Sequence, residues 1–237
     1  AVDAIVVYLT RLYKSLVSAN TGNQPDISPT KWQDYGPANK YAMFDSTIST
    51  QTTSSSPLVV QVQPGKVCNS LAILNLLNAS SVTVEVKDSP SGSVVYNKTI
   101  NLDGTLIYDW YSYFFEPFDL QETLVLTDIP PYSNCVIKIT VTGSGTIGIG
   151  NFIYGTSTDI GSVQYGVTIG NRDYSVKETD SFGNTVFVKR AFSRRMEPQL
   201  MLDNSKLRYV FRLLNDLRAT PTVWIGSEDA QYEPLVL

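Results

Sequence analysis

Between Pro57 and Gly155 the chain passes through seven short apolar or alternating segments: PLVVQV, SLAILNLL, SVTVEVKD, SVVYNKTINL, TLVLTD, CVIKITVTG and TIGIGNFIY. Turn signals separate them, among them Pro64-Gly65, Asp88-Ser89-Pro90-Ser91-Gly92, Asp103-Gly104 and Pro130-Pro131. In SVTVEVKD and VIKITVTG apolar and polar residues alternate, which is the period of a strand with one wet face. So many strands at this spacing predict a β-sandwich, jelly-roll-like, over residues 57–160 of an all-β chain.

The flanks read differently. Over residues 1–36 two short β runs, Ala4 to Leu9 and Leu12 to Val17, precede the polar stretch SANTGNQPDISPT and Lys31-Trp32-Gln33. This predicts a small N-terminal β-hairpin module closed by a loop, since Gly22, Pro25 and Pro29 bar regular structure between the runs. Residues 37–56, with the Ser/Thr-rich run STISTQTTSSS, read as a linker, and the boundary is placed near Ser56. A second β portion, residues 161–237, carries the hairpin signal Asp180-Ser181-Phe182-Gly183-Asn184 between alternating runs. Within it Leu207, Val210, Phe211, Leu214 and Leu217 recur at helical spacing, so one amphipathic helix is expected near 204–218. Asn204 or Ser205 is its expected N-cap, and the strand TVWIG should follow. The chain opens in a strand-like pattern, AVDAIVVYL, and closes in another, EPLVL, as a segment of a longer protein would.

Composition then narrows the chemistry. The chain has no histidine, which removes Ser-His-Asp and Cys-His nucleophilic sites, the common zinc sites and imidazole acid/base catalysis. It contains neither GxxxxGK[ST] nor a strand-to-helix GxGxxG, and the run Gly143 to Gly148 reads as strand and turn glycines within a β region. No metal site, cofactor or catalytic residue is expected. A glycosidase would need two carboxyl groups across a sugar bond; acids such as Asp109, Glu116 and Asp119 cluster around the aromatic run, but any acidic chain offers such clusters by chance.

A formal net charge of −4 gives no overall basic field, so nucleic acid is not an expected partner. The local cluster Lys189, Arg190, Arg194 and Arg195 reads as a solvated strand face or an inter-subunit salt-bridge patch. No apolar stretch approaches the ~20 residues that span a bilayer, so membrane insertion is not expected. Cys68 and Cys135 lie in apolar runs and read as buried free thiols, with a bridge between adjacent strands as the alternative.

The densest aromatic stretch is Tyr108, Trp110, Tyr111, Tyr113, Phe114, Phe115 and Phe118. As a strand it would send Trp110 and Phe114 to one face and Tyr111, Tyr113 and Phe115 to the other, one set core and one exposed. Exposed Tyr and Trp suit protein interfaces and also stack on sugar rings, so Trp110, Tyr111 and Tyr113 are candidate contacts for a partner or a glycan.

The stretch VVYLTRLYKSLVSANTGNQPDISPTKWQDYG resembles the small chitin-binding-type carbohydrate modules, with their strand-end Tyr, second Tyr, Asn-Thr-Gly-x-x-Pro loop and closing Trp. The resemblance implies that Tyr8, Tyr13 and Trp32 correspond to the aromatics that include ring-stacking residues. WQDYGPANKYAMFDSTISTQT is similar to a segment of tailed-bacteriophage structural proteins, in which such a module precedes W-x-D-x-G-P-x-N-x-x-x-M-F-D and then a β-sandwich. DYSVKETDSFGNTVFVKRAFSRRMEPQL and DLRATPTVWIG resemble the same family. The likeness to that family implies a tail or baseplate component of the virion, without catalytic activity and present in several copies. Its partners would be other virion proteins, copies of itself and, in the alternative reading of a receptor-binding protein, host-surface glycans.

Overall fold

The computed structural model describes residues 1–227 and 236, apart from 48, 49, 106, 118, 180 and 191. The chain is all-β and forms two compact units, Ala1–Ser157 and Thr158–Leu237.

The first unit opens with β1 (Ile5–Tyr8), β2 (Arg11–Ser15) and β3 (Trp32–Pro37), an antiparallel three-stranded sheet in that order. The turn between β1 and β2 puts Leu9 at φ 53°, the left-handed region that favours glycine. A 3-10 helix, Asn39–Phe44, leads to β4 (Thr52–Ser55) and β5 (Leu58–Val62). Residues 37–56 are therefore not a linker. Ala42 and Met43 are buried, and β4 is hydrogen-bonded to the sandwich. The polarity of the Ser/Thr run misleads because Thr52 is buried with both roles of its hydroxyl used. Its Oγ1 donates to the Asn39 carbonyl at 2.6 Å and accepts the Met43 N–H at 3.0 Å.

Seven expected strands become five, because two pairs fuse. SLAILNLL and SVTVEVKD are one strand, β6 (Ser70–Lys87), followed by β7 (Val94–Asn101). After β8 (Leu124–Leu126), CVIKITVTG and TIGIGNFIY form β9 (Val136–Gly155). Strands β6 and β9 pair antiparallel along their lengths, from Ser70↔Gly155 to Lys87↔Val136. Toward one end β5 and β7 flank them, and toward the other β4 and β8 do.

The register of β6 slips on both sides of Ala79, where Asn75 and Asn78 adopt φ 55° and 53°. Opposite lies Gly143, where any Cβ would sit 1.9 Å from the Asn78 carbonyl oxygen. Backbones come this close because glycine permits it. The irregularity bends both strands and shifts which residues face inward on β6, from Leu71 and Ile73 to Val82, Val84 and Val86. Those residues share one core with Ile137, Ile139, Val141, Ile147 and Ile149, so the two halves of the bent sheet close on each other as a sandwich. Cys68 and Cys135 are buried here and unbridged, with both thiol pKa values pushed up by burial.

Between β7 and β8 the aromatic run forms α1 (Trp110–Phe115) rather than a strand. The second unit holds β10 (Ser162–Val163), β11 (Thr168–Asp173), β12 (Val176–Thr179), β13 (Thr185–Val188), β14 (Phe192–Glu197) and β15 (Leu200–Met201). Their pairings nest, β10 with β15, β11 with β14 and β12 with β13, as one two-stranded ribbon that turns between β12 and β13. This agrees with the Gly183-Asn184 signal; Asp180 of that turn lies outside the described residues. Helix α2 (Leu207–Asp216) comes next, but its N-cap is Lys206, without a side-chain cap, and not Asn204 or Ser205. TVWIG forms no strand; Ile225 makes a single bridge to Val236, and the rest of EPLVL lies outside the described residues.

Candidate contact surfaces

Trp32 is one of the three aromatics, with Tyr8 and Tyr13, that the sequence pattern offers for sugar stacking, yet the structure puts it inside, 8% exposed. Its indole Nε1 donates to the Asn23 carbonyl at 2.9 Å. The loop that supplies this carbonyl is held by Asn20, whose side-chain amide donates to Ser15 Oγ and to the Lys31 carbonyl, each at 3.0 Å. A Trp with a satisfied N–H beneath a braced loop works as a core residue of a three-stranded sheet. Tyr8 and Tyr13 are half-buried and meet edge to face, with ring centroids 6.5 Å apart. The exposed ring of this sheet is Tyr35, which the sequence pattern did not single out.

The motif that begins at Trp32 is structural in its details. The Asp34 carboxylate accepts Arg11 Nε at 2.6 Å and the Gly36 N–H at 3.0 Å, fixing the bend of β3. Asn39 donates to the Thr53 carbonyl at 2.8 Å and accepts its N–H at 2.9 Å, which fastens the 3-10 helix to β4. Met43 fills the core, and the Phe44 ring lies 6.0 Å from that of Phe152. The Asp45 carboxylate takes Thr50 Oγ1 and the Thr47 N–H, while its carbonyl accepts Asn151 Nδ2 at 3.1 Å. The W-x-D-x-G-P-x-N-x-x-x-M-F-D run thus joins the small sheet to the sandwich.

Helix α1 is the most aromatic surface. Asp109 caps it: its carboxylate accepts the Ser112 N–H at 2.8 Å, and Ser112 Oγ returns the bond by accepting the Asp109 N–H at 3.0 Å. These bonds from Ser112 hold the Asp109 carboxyl below its ordinary range. The Asp109 carboxylate is thus engaged in capping the helix.

With the backbone helical, the strand rule of alternate faces does not apply. Trp110, Tyr111, Tyr113, Phe114 and Phe115 are all exposed, by 60% or more. The rings pack on one another instead: Trp110 with Phe114 at 6.2 Å and Tyr111 with Phe115 at 5.1 Å, both four residues apart on the helix. Phe118 lies outside the described residues. The acids of the surrounding segment, Asp103, Asp109, Glu116, Asp119 and Glu122, have no Lys or Arg among them.

No protein-family model and no curated protein matches the chain. The surfaces themselves therefore carry the functional reading.

The ribbon of the second unit is the other exposed surface. Ile169, Phe182, Val186, Phe187, Val188 and Phe192 are all exposed. The β11–β14 register places Ile169, Met196 and Phe192 on one face and Arg172 and Arg195 on the other. Lys189, Arg190 and Arg195 are exposed as well, and Arg195 pairs with Glu197. The predicted basic cluster thus lies along this ribbon. Among the described residues no group of three or more His, Cys, Asp or Glu side chains gathers as a metal site would, and no helix is long and apolar enough to cross a membrane.

Proposed function

We propose that this chain is a structural component of a tailed-bacteriophage virion, a tail or baseplate protein that mediates assembly or attachment without catalysing a reaction. The observation that carries the reading is the exposure of all five aromatic rings of α1. Soluble monomers seldom leave such a patch to water, and Tyr and Trp are the residues that anchor protein contacts. The exposed ribbon adds a second surface of the same kind. The bent sandwich supplies a rigid base, and the similarity of WQDYGPANKYAMFD and DYSVKETDSFGNTVFVKRAF to phage structural proteins points to the particle as the setting. Other virion proteins and further copies of this chain are the partners.

The test is whether antibodies against the purified chain decorate the tail or baseplate of purified particles. Their binding there is expected. Intact, infectious particles that never contain the chain would overturn the reading.

A second reading, recognition of host-surface glycans, is favoured by the same exposed rings, since Trp110, Tyr111 and Tyr113 offer apolar faces to sugars. Burial of Trp32 moves that reading from the N-terminal sheet to α1. A Trp110→Ala variant that enters particles normally but no longer adsorbs to cells would favour glycan binding.

A further inference from the structure

The two exposed surfaces are complementary. Segment 103–122, which contains α1, has five carboxylates and no base, whereas 186–197 on the ribbon has four bases and one acid. Each surface is also apolar. Exposed Trp110, Tyr113 and Phe114 stand on the helix, and exposed Ile169 and Phe192 share one face of the ribbon with Met196. We propose that the ribbon of one copy of this chain seats on the aromatic helix of a second copy, with Lys189 and Arg190 facing the carboxylates of Glu116 and Asp119. This contact rests on the assembly role proposed above and gives that role a partner.

Physical chemistry favours this occupant. A two-stranded ribbon is marginal in water on its own and leaves both edges unpaired, so its apolar face calls for cover. A second ribbon would be a poor cover, because ribbon residues 162–201 carry six bases against four acids and like charges would meet. The acidic helix offers attraction instead, and guanidinium and ammonium groups gain further from lying over aromatic faces. Because each copy holds both surfaces, the contact is heterologous and repeats from copy to copy, as a ring or filament requires.

Charge reversal of the full chain tests it, read by analytical ultracentrifugation at low salt. The wild-type chain is expected to self-associate and to dissociate as salt rises. The variants Lys189→Glu/Arg190→Glu and Glu116→Lys/Asp119→Lys, all at exposed positions, should each weaken association roughly tenfold or more while far-UV circular dichroism stays unchanged. An equal mixture of the two variants should associate again, since each then offers the surface the other lacks. Reversal variants that associate like the wild type, or a mixture that stays dissociated, as a contact within one chain would leave it, would overturn the contact. A wild-type chain that stays monomeric yet labels particles overturns the contact and leaves the virion role standing. Self-association abolished by these reversals, with no chain in particles, supports the contact and overturns the virion role.

Discussion

The sandwich and the ribbon are built from the same alternating pattern but finish it differently. In the sandwich two long strands bend at Asn78 and Gly143 so that one sheet covers its own apolar face. In the ribbon the alternation continues through the nested strand pairs without a second layer, and the apolar face remains open. Among the described residues, twenty-six apolar residues are buried in the first unit and only Val210 and Val236 in the second. Alternation therefore specifies which residues share a face, whereas closure depends on where the backbone can bend. Most of the described buried apolar residues thus lie in the first unit, and the second leaves its apolar residues largely exposed.

The largest expected effect separates the two regions by side-chain deletion. Ile139→Ala, at a fully buried position, should cost about 3 kcal/mol in urea unfolding of the first unit. Phe187→Ala on the ribbon should stay within about 0.5 kcal/mol for either unit and lower self-association instead. Equal losses at the two positions would erase the distinction. Glycines give the next test. Gly143→Ala forces a methyl against the Asn78 backbone and should destabilise by about 2 kcal/mol, an overpacking cost. Gly170→Ala in β11 meets nothing within 4 Å and should shift stability by no more than about 0.5 kcal/mol. Thermal melts of both variants check this pair.

A smaller effect concerns how α1 is held. Asp109 ionises more readily in the folded chain than its ordinary 3.8, so its cap is in place above that value and is lost as pH falls through the lower folded pKa. The Ser112 amide resonance should therefore titrate with a midpoint below 3.8. A midpoint at or above 3.8 would remove Asp109 from the cap.

Much of this architecture was legible in the residues. The period-two runs located the strands, Gly183-Asn184 marked the ribbon turn, and the Leu207 to Leu217 spacing located α2. The fusion of strand pairs was not legible, because Asn78-Ala79-Ser80 and Gly143-Ser144-Gly145 look like turns, yet here the two strands run on through them with a shift of register. The aromatic run misled for a related reason. Tyr, Trp and Phe favour strands, but Asp109 and Ser112 at capping-box spacing tip the short segment into a helix, and that spacing was the available signal. Trp32 shows the limit of matching a motif: its position in the pattern was visible, whereas its burial depends on the Asn20 to Asn23 loop closing over it.

Amide hydrogen exchange, compared between the dilute chain and the assembled particle, tests most directly whether the first unit is closed and the second awaits a partner. Slow exchange is expected at 81–87 and 136–142 in both states, and fast exchange at 168–173 and 192–197 that becomes slow only on assembly. A ribbon already as protected as the sandwich in the dilute monomer would contradict this.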